Sequence, residues 1–179
     1  MSVAPQSAQH QGSLMDRYRR WFEFEQDAHD KTMRSLEGAP ATAQSAPDYQ
    51  KCVDLMAHVV AARWTWLYRL GGVGQPPAEI FPQRVGLAQL KVDLGRMHAV
   101  WSAFLTGLSD TDLGRVFEYT RVDGNRYSNT VEDTLTQLYG HSLYHRGQIA
   151  MLLRRMGAEP AATDFIFWAR QPLSERVAG

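Results

Sequence analysis

The sequence predicts an all-α fold, a four-helix bundle with a small β-hairpin between the third and fourth helices. Three observations point there. Four segments of about 20 residues carry apolar groups at steps of three and four, the stripe of an amphipathic helix. Glycine and proline clusters separate them. Between the third and fourth segments, the turn signal Asp123-Gly124-Asn125 sits between two short alternating runs.

The elements follow in chain order. Residues 1–12 are rich in Ser, Gln and Ala and are expected to be a disordered tail; residues 13–179 are expected to form a single helical domain. The first helix spans Ser13 to Leu36. Its stripe is Leu14, Tyr18, Phe22, Glu25, His29, Met33 and Leu36, apolar at both ends and polar in the middle. Gly38 and Pro40 end it. Residues 38–47 read as a small-residue linker, and Pro47 suits the first turn of the second helix. That helix reaches about Leu70 with the stripe Leu55, His58, Ala62 and Trp66, and Gly71, Gly72, Gly74, Pro76 and Pro77 stop it. The third helix begins near Leu87, with Leu90, Leu94, Met97, Trp101, Phe104 and Leu108 continuing the seam. The hairpin arms are placed at about 116–122 and 126–129. Thr130 and Asp133 resemble a capping box opening the fourth helix. Its stripe is Thr134, Leu138, His141, His145, Gln148 and Leu152, and Gly157 and Pro160 end it. Phe165, Phe167 and Trp168 in the tail are expected to pack on the body.

Composition narrows the function classes. The chain has 179 residues, 44% hydrophobic and 21% charged, which is ordinary globular composition. Nineteen basic residues balance nineteen acidic ones. A nucleic-acid binder needs a basic surface, so that class is disfavoured. The single cysteine, Cys52, cannot form an internal disulfide. No apolar run approaches the ~18 residues of a membrane span, and the first dozen residues lack a signal core. The chain reads as soluble and cytoplasmic.

The chemistry gathers around histidine. His141 and His145 are four residues apart, so on a helix they lie one turn above the other and can reach one ion. They share register with Leu138 and Leu152 and point inward, as His58 does on the second helix. Three buried imidazoles need partners. On spacing alone those partners are either a divalent metal or ordinary hydrogen-bonding neighbours. Cys52 lies about 120° around the helix from His58 and reads as a boundary residue outside the site. His98 reads as a surface or boundary histidine. Glu25 and His29 read either as a boundary hydrogen-bonded pair or as groups supporting the metal cavity, through orientation or acid–base work. Gly147, inside the fourth helix, is expected to mark close approach of another element.

These residues carry a resemblance. HSLYHRGQIAMLLRRMGAEP at 141–160, followed by TDFIFWAR at 163–170, resembles the C-terminal signature of the DinB/YfiT-like family. LMAHVVAARWTWLYRL at 55–70 resembles that family's second-helix segment with its single ligand histidine, and FEFEQDAHDKTMRSLEGAP is similar to the first helix of one branch. The resemblance covers about residues 14–170. It implies an up-down-down-up four-helix bundle and one divalent metal on His58, His141 and His145. Zinc and nickel are the first candidates, with iron and manganese after them. Some relatives use a low-molecular-weight thiol. Three histidines leave a coordination position open, the pattern of a catalytic centre. The expected function is therefore a metal-dependent enzyme, a thiol-dependent S-transferase or isomerase, or else a hydrolase. The alternative is a non-catalytic bundle that the metal stabilises and that binds a small molecule or partner. A homodimer is also expected. The family precedent is one motive; the other is Trp21, Phe24, Leu135, Tyr139 and Met151, which lie off the main stripes and call for cover.

Overall fold

The computed structural model describes residues 12–121 and 123–172. The expected tail, apart from Gly12, lies outside them, as does Val122 of the first hairpin arm. The chain is mostly helical with a small two-stranded antiparallel sheet. Helix α1 spans Leu14–Glu37, α2 Ala41–Gln44, α3 Pro47–Arg69, α4 Leu87–Thr106 and α5 Asp110–Leu113. Strands β1 (Val116–Thr120) and β2 (Arg126–Thr130) follow, then α6 (Val131–Arg155) and α7 (Phe165–Ala169).

Local chemistry fixes the ends of these elements. Ser13 and Asp16 form a capping box at the start of α1, and the Asp110 carboxylate accepts from the next two free amides, Leu14 N at 3.2 Å and Met15 N at 2.8 Å. Pro47 occupies the first turn of α3, as the sequence predicts. Thr130 and Asp133 form the expected capping box of α6. Gly71 ends α3 at φ 80°, where a side chain would be strained. At Gly72 a Cβ would run into the side chains of Leu67 and Phe104, so any other residue there would force them to shift.

The hairpin pairs Val116 with Thr130 and Thr120 with Arg126, and Gly124 turns the chain at φ 81°. Helix α2 stands where the sequence reads as linker, and α5 lies between the third predicted helix and the hairpin, where the sequence predicts no element. Each is four residues long, too short to show a periodic stripe.

Helix α3 packs on both α4 and α6, and α1 packs on the same two helices. Helix α3 is therefore buried on most of its surface. Cys52, Met56, Ala57, His58, Ala61, Arg63 and Leu67 all lie inside, although they do not share one stripe. This corrects the boundary reading of Cys52, which is fully buried with its thiol 3.9 Å from the Ile149 carbonyl. Burial pushes that thiol up to about 11, so it stays protonated at neutral pH. The seam expected on α4 is buried at Leu90, Leu94, Met97 and Trp101; Leu87, Phe104 and Leu108 are half-buried, and Leu105, outside that seam, faces the core.

The tail covers α1 from within the chain. Phe24 is 1% exposed, with Phe165 at 5.1 Å and Trp168 at 5.8 Å between ring centroids. Trp21 stacks on Tyr139 at 4.9 Å, and Leu135 is buried. Of the off-stripe groups that called for a second subunit, only Met151 stands exposed, at 53%. The apolar motive for dimerisation through α1 and α6 is thus met within one chain.

Gly147 corrects another expectation. It lies on the exposed face of α6, and a Cβ there would meet nothing within 4 Å. Among the described residues, no element approaches it closely. Replacing it with alanine should raise stability by roughly 0.5–1 kcal/mol, because alanine loses less backbone entropy in a helix. Chemical denaturation of Gly147→Ala checks this, and a lower midpoint would contradict it.

Candidate metal centre

Helices α3 and α6 are in contact along their length, and this brings His58 opposite His141 and His145. His58 is buried, and the other two are half-buried. Their ring nitrogens lie within 4.8 Å of one another. His141 Nε2 is 3.1 Å from His58 Nε2 and 3.1 Å from His145 Nε2. Nitrogens held tetrahedrally on one ion at the usual zinc distance stand about 3.3 Å apart.

The outer nitrogens of His58 and His145 are already engaged. His58 Nδ1–H donates to the Ile80 carbonyl at 2.6 Å, and His145 Nδ1–H donates to Gln148 Oε1 at 2.8 Å. Such contacts fix the tautomer and leave Nε2 as a lone pair. Two lone pairs therefore face His141, whose Nε2 carries at most one proton. Hydrogen bonds among the three rings cannot satisfy all three nitrogens, and a cation can. The donor set thus fits a divalent ion.

Burial, then the neighbouring His145 and His58, pull His141 down to about 4, and burial also lowers His145. Both are neutral at pH 7, the form that binds metal. The loop between α3 and α4 holds His58 from the other side. Phe81 lies flat against its ring at 4.4 Å, next to the Ile80 carbonyl. A cleft of about 560 Å³ opens beside the cluster, and His58 and His145 form part of its wall.

Glu25 and His29 belong to a second, fully buried polar cluster. Glu25 pairs with Arg63, whose guanidinium lies over the rings of Phe22 and Trp101 at 5.0 and 4.9 Å. Arg146 Nη1 donates to Ser142 Oγ at 2.7 Å, which orients the Ser142 hydroxyl to donate to His29 Nε2 at 2.7 Å. His29 Nδ1 then donates to His98 Nε2 at 3.1 Å. The Glu25 carboxylate is 3.6 Å from His29 Nε2, too far for a hydrogen bond. No charged pair forms there, because burial and the nearby Arg146, His98 and Arg63 hold His29 well below its ordinary value.

Glu25 and His29 are thus interior groups rather than boundary ones. Among the described residues, no hydrogen bond joins them directly to His58, His141 or His145. His98 is also buried, not at the surface. Sequence reasoning missed Arg63, Ser142 and Arg146. A signal for the last two existed: they repeat the four-residue spacing of His141 and His145 one position along, giving α6 a second polar stripe.

Burial of neutral histidines has a pH consequence. Burial lowers His98 from 6.5 to about 4, and His29 moves the same way. The unfolded chain then binds more protons than the folded one between these values. Their stabilisation is complete above about pH 6.5 and is lost as pH falls through about 4. The metal-free protein should lose melting temperature steadily over that window, with His141 adding in the same direction. A flat profile there would contradict neutral burial.

The chain belongs to the DinB family, whose model matches residues 7–175. No curated protein shows significant sequence similarity to it. Its fold is similar to the crystal structure of a DinB-like protein from Bacillus cereus, at TM-score 0.58 and 19% identity, covering 83% of this chain and 93% of that one.

Proposed function

We propose that this DinB-family chain is a metal-dependent enzyme whose α1, α3, α4 and α6 form an up-down-down-up four-helix bundle around one divalent ion. His58, His141 and His145 would hold the ion, with zinc or nickel as the first candidates. The observation that carries this reading is the convergence of three Nε2 atoms, with the outer nitrogens of His58 and His145 already committed to Ile80 and Gln148.

Three protein ligands leave a position for an exogenous group, and a divalent ion there lowers the pKa of a bound thiol or water or polarises a carbonyl. The chain's own residues supply orientation and shelter. Ile80 and Gln148 fix the imidazoles, and Phe81 covers His58 on its open side. The cleft admits a small molecule to this wall. Among the described residues no thiol or hydroxyl side chain lines it, which favours a nucleophile brought in by the substrate. Thiol-dependent S-transfer or isomerisation, with a low-molecular-weight thiol, fits that requirement.

The cobalt-substituted protein tests the open position. Azide or a small thiol should change its visible spectrum reversibly. A spectrum indifferent to both would mean a closed, structural ion and a non-catalytic bundle.

A further inference from the structure

We infer that the cleft beside the three histidines binds small molecules that carry a carboxylate, with Arg84 and Lys51 as the groups that recognise it; this rests on the metal reading above. Both side chains line the cleft that His58 and His145 also line. Both are exposed, and neither has an ion-pair or side-chain hydrogen-bond partner among the described residues. They come from different segments, Lys51 from the first turns of α3 and Arg84 from the loop before α4.

Asp54, a carboxylate in the same wall, is occupied elsewhere. Its Oδ1 accepts from Gln50 Nε2 at 2.9 Å and from the Val85 amide at 3.0 Å. Gln50 also donates to the Val85 carbonyl at 3.0 Å. Two side chains of α3 thereby grip both backbone groups of the residue after Arg84.

The backbone at Arg84 adds an independent observation. Its φ is 57°, and it is the one non-glycine residue at positive φ among the described residues. Glycine takes that conformation without steric cost, and a long side chain does not. The Val85 clamp holds the strained geometry in place, and strain held this way is characteristic of binding sites. What it presents to the cleft is a guanidinium, whose planar fork matches a carboxylate. The wall carries two cationic side chains, Lys51 and Arg84, against the single carboxylate of Asp54, so its net charge is positive, and a divalent ion would add to it. An anionic substrate would be drawn to this wall and held with its other end toward the metal.

The test compares mercaptoacetate, mercaptopropionate and mercaptobutyrate with the corresponding mercaptoalcohols, titrated into cobalt-substituted protein. Each pair shares a thiol and differs in charge. At least one acid should bind about tenfold more tightly than its alcohol, the usual effect of one charge-assisted hydrogen bond. In Arg84→Gly and Lys51→Gln the preference should shrink toward unity while alcohol affinity stays the same. Arg84→Lys should keep part of it. Arg84→Gly should also melt no lower than the parent, since glycine relieves the strain. Equal affinity for acids and alcohols, or a preference that survives both substitutions, overturns this inference and leaves the metal reading standing. Failure to take up cobalt overturns both.

Discussion

Replacing His145 with alanine should weaken divalent-ion binding by roughly 100- to 1,000-fold. Structural zinc sites are worth about 10–16 kcal/mol over four ligands, so one ligand contributes about 2.5–4 kcal/mol. The substitution leaves the fold intact, because His145 is half-buried in the interior of α6 and alanine is the best helix former. His58→Ala should act the same way and also free the Ile80 carbonyl and Phe81, loosening the loop that covers the site. Competition against a chromophoric chelator measures the affinity, and circular dichroism confirms the helices. Undiminished affinity in His145→Ala would remove that residue from the ligand set.

Replacing Glu25 with alanine should cost about 3–5 kcal/mol, the usual penalty for stripping one partner from a buried ion pair. Glu25 and Arg63 are 1% and 4% exposed at their side chains, so Arg63 would be left charged and dry. Arg146 would suffer as well, since the Glu25 charge is what favours its protonated form against burial. At about 2–4 °C per kcal/mol for a domain of this size, the melting temperature should fall by roughly 6–20 °C. Exchanging both partners, Glu25→Leu with Arg63→Met, should recover most of that loss, because no unpaired charge remains at that pair. If the double variant melts no higher than the single one, the pair is not the reason for Glu25's burial.

Much of the fold is legible in the sequence because its signals are local. Pro47, the Thr130 and Asp133 box, and the glycine stops act within a few residues of the boundaries they set. The histidine cluster is legible for a related reason. A four-residue spacing on one helix, matched by an inward histidine on another, needs only helical geometry to suggest one ion.

The buried polar cluster is not legible in this way. Glu25 finds Arg63 38 residues away, and His29 finds Ser142 across 113. A charged residue reads as solvent-facing until the helix opposite is known. Helix α3 hides its function further because it is buried on nearly every side, so Arg63 and Cys52 carry no stripe signal. The loop residues Ile80 and Phe81 reach His58 through a backbone carbonyl and a ring face, neither of which has a sequence signature. Gly147 misled for the opposite reason. Glycine in a helix suggests close packing, but this one faces open space.

X-ray absorption of the zinc-loaded protein tests the central claim most directly. The arrangement of His58, His141 and His145 predicts one ion per chain, three imidazole nitrogens at about 2.0–2.1 Å, and one further light ligand that azide displaces. A full protein shell with no exchangeable ligand, or fewer than three imidazoles around the ion, would contradict it.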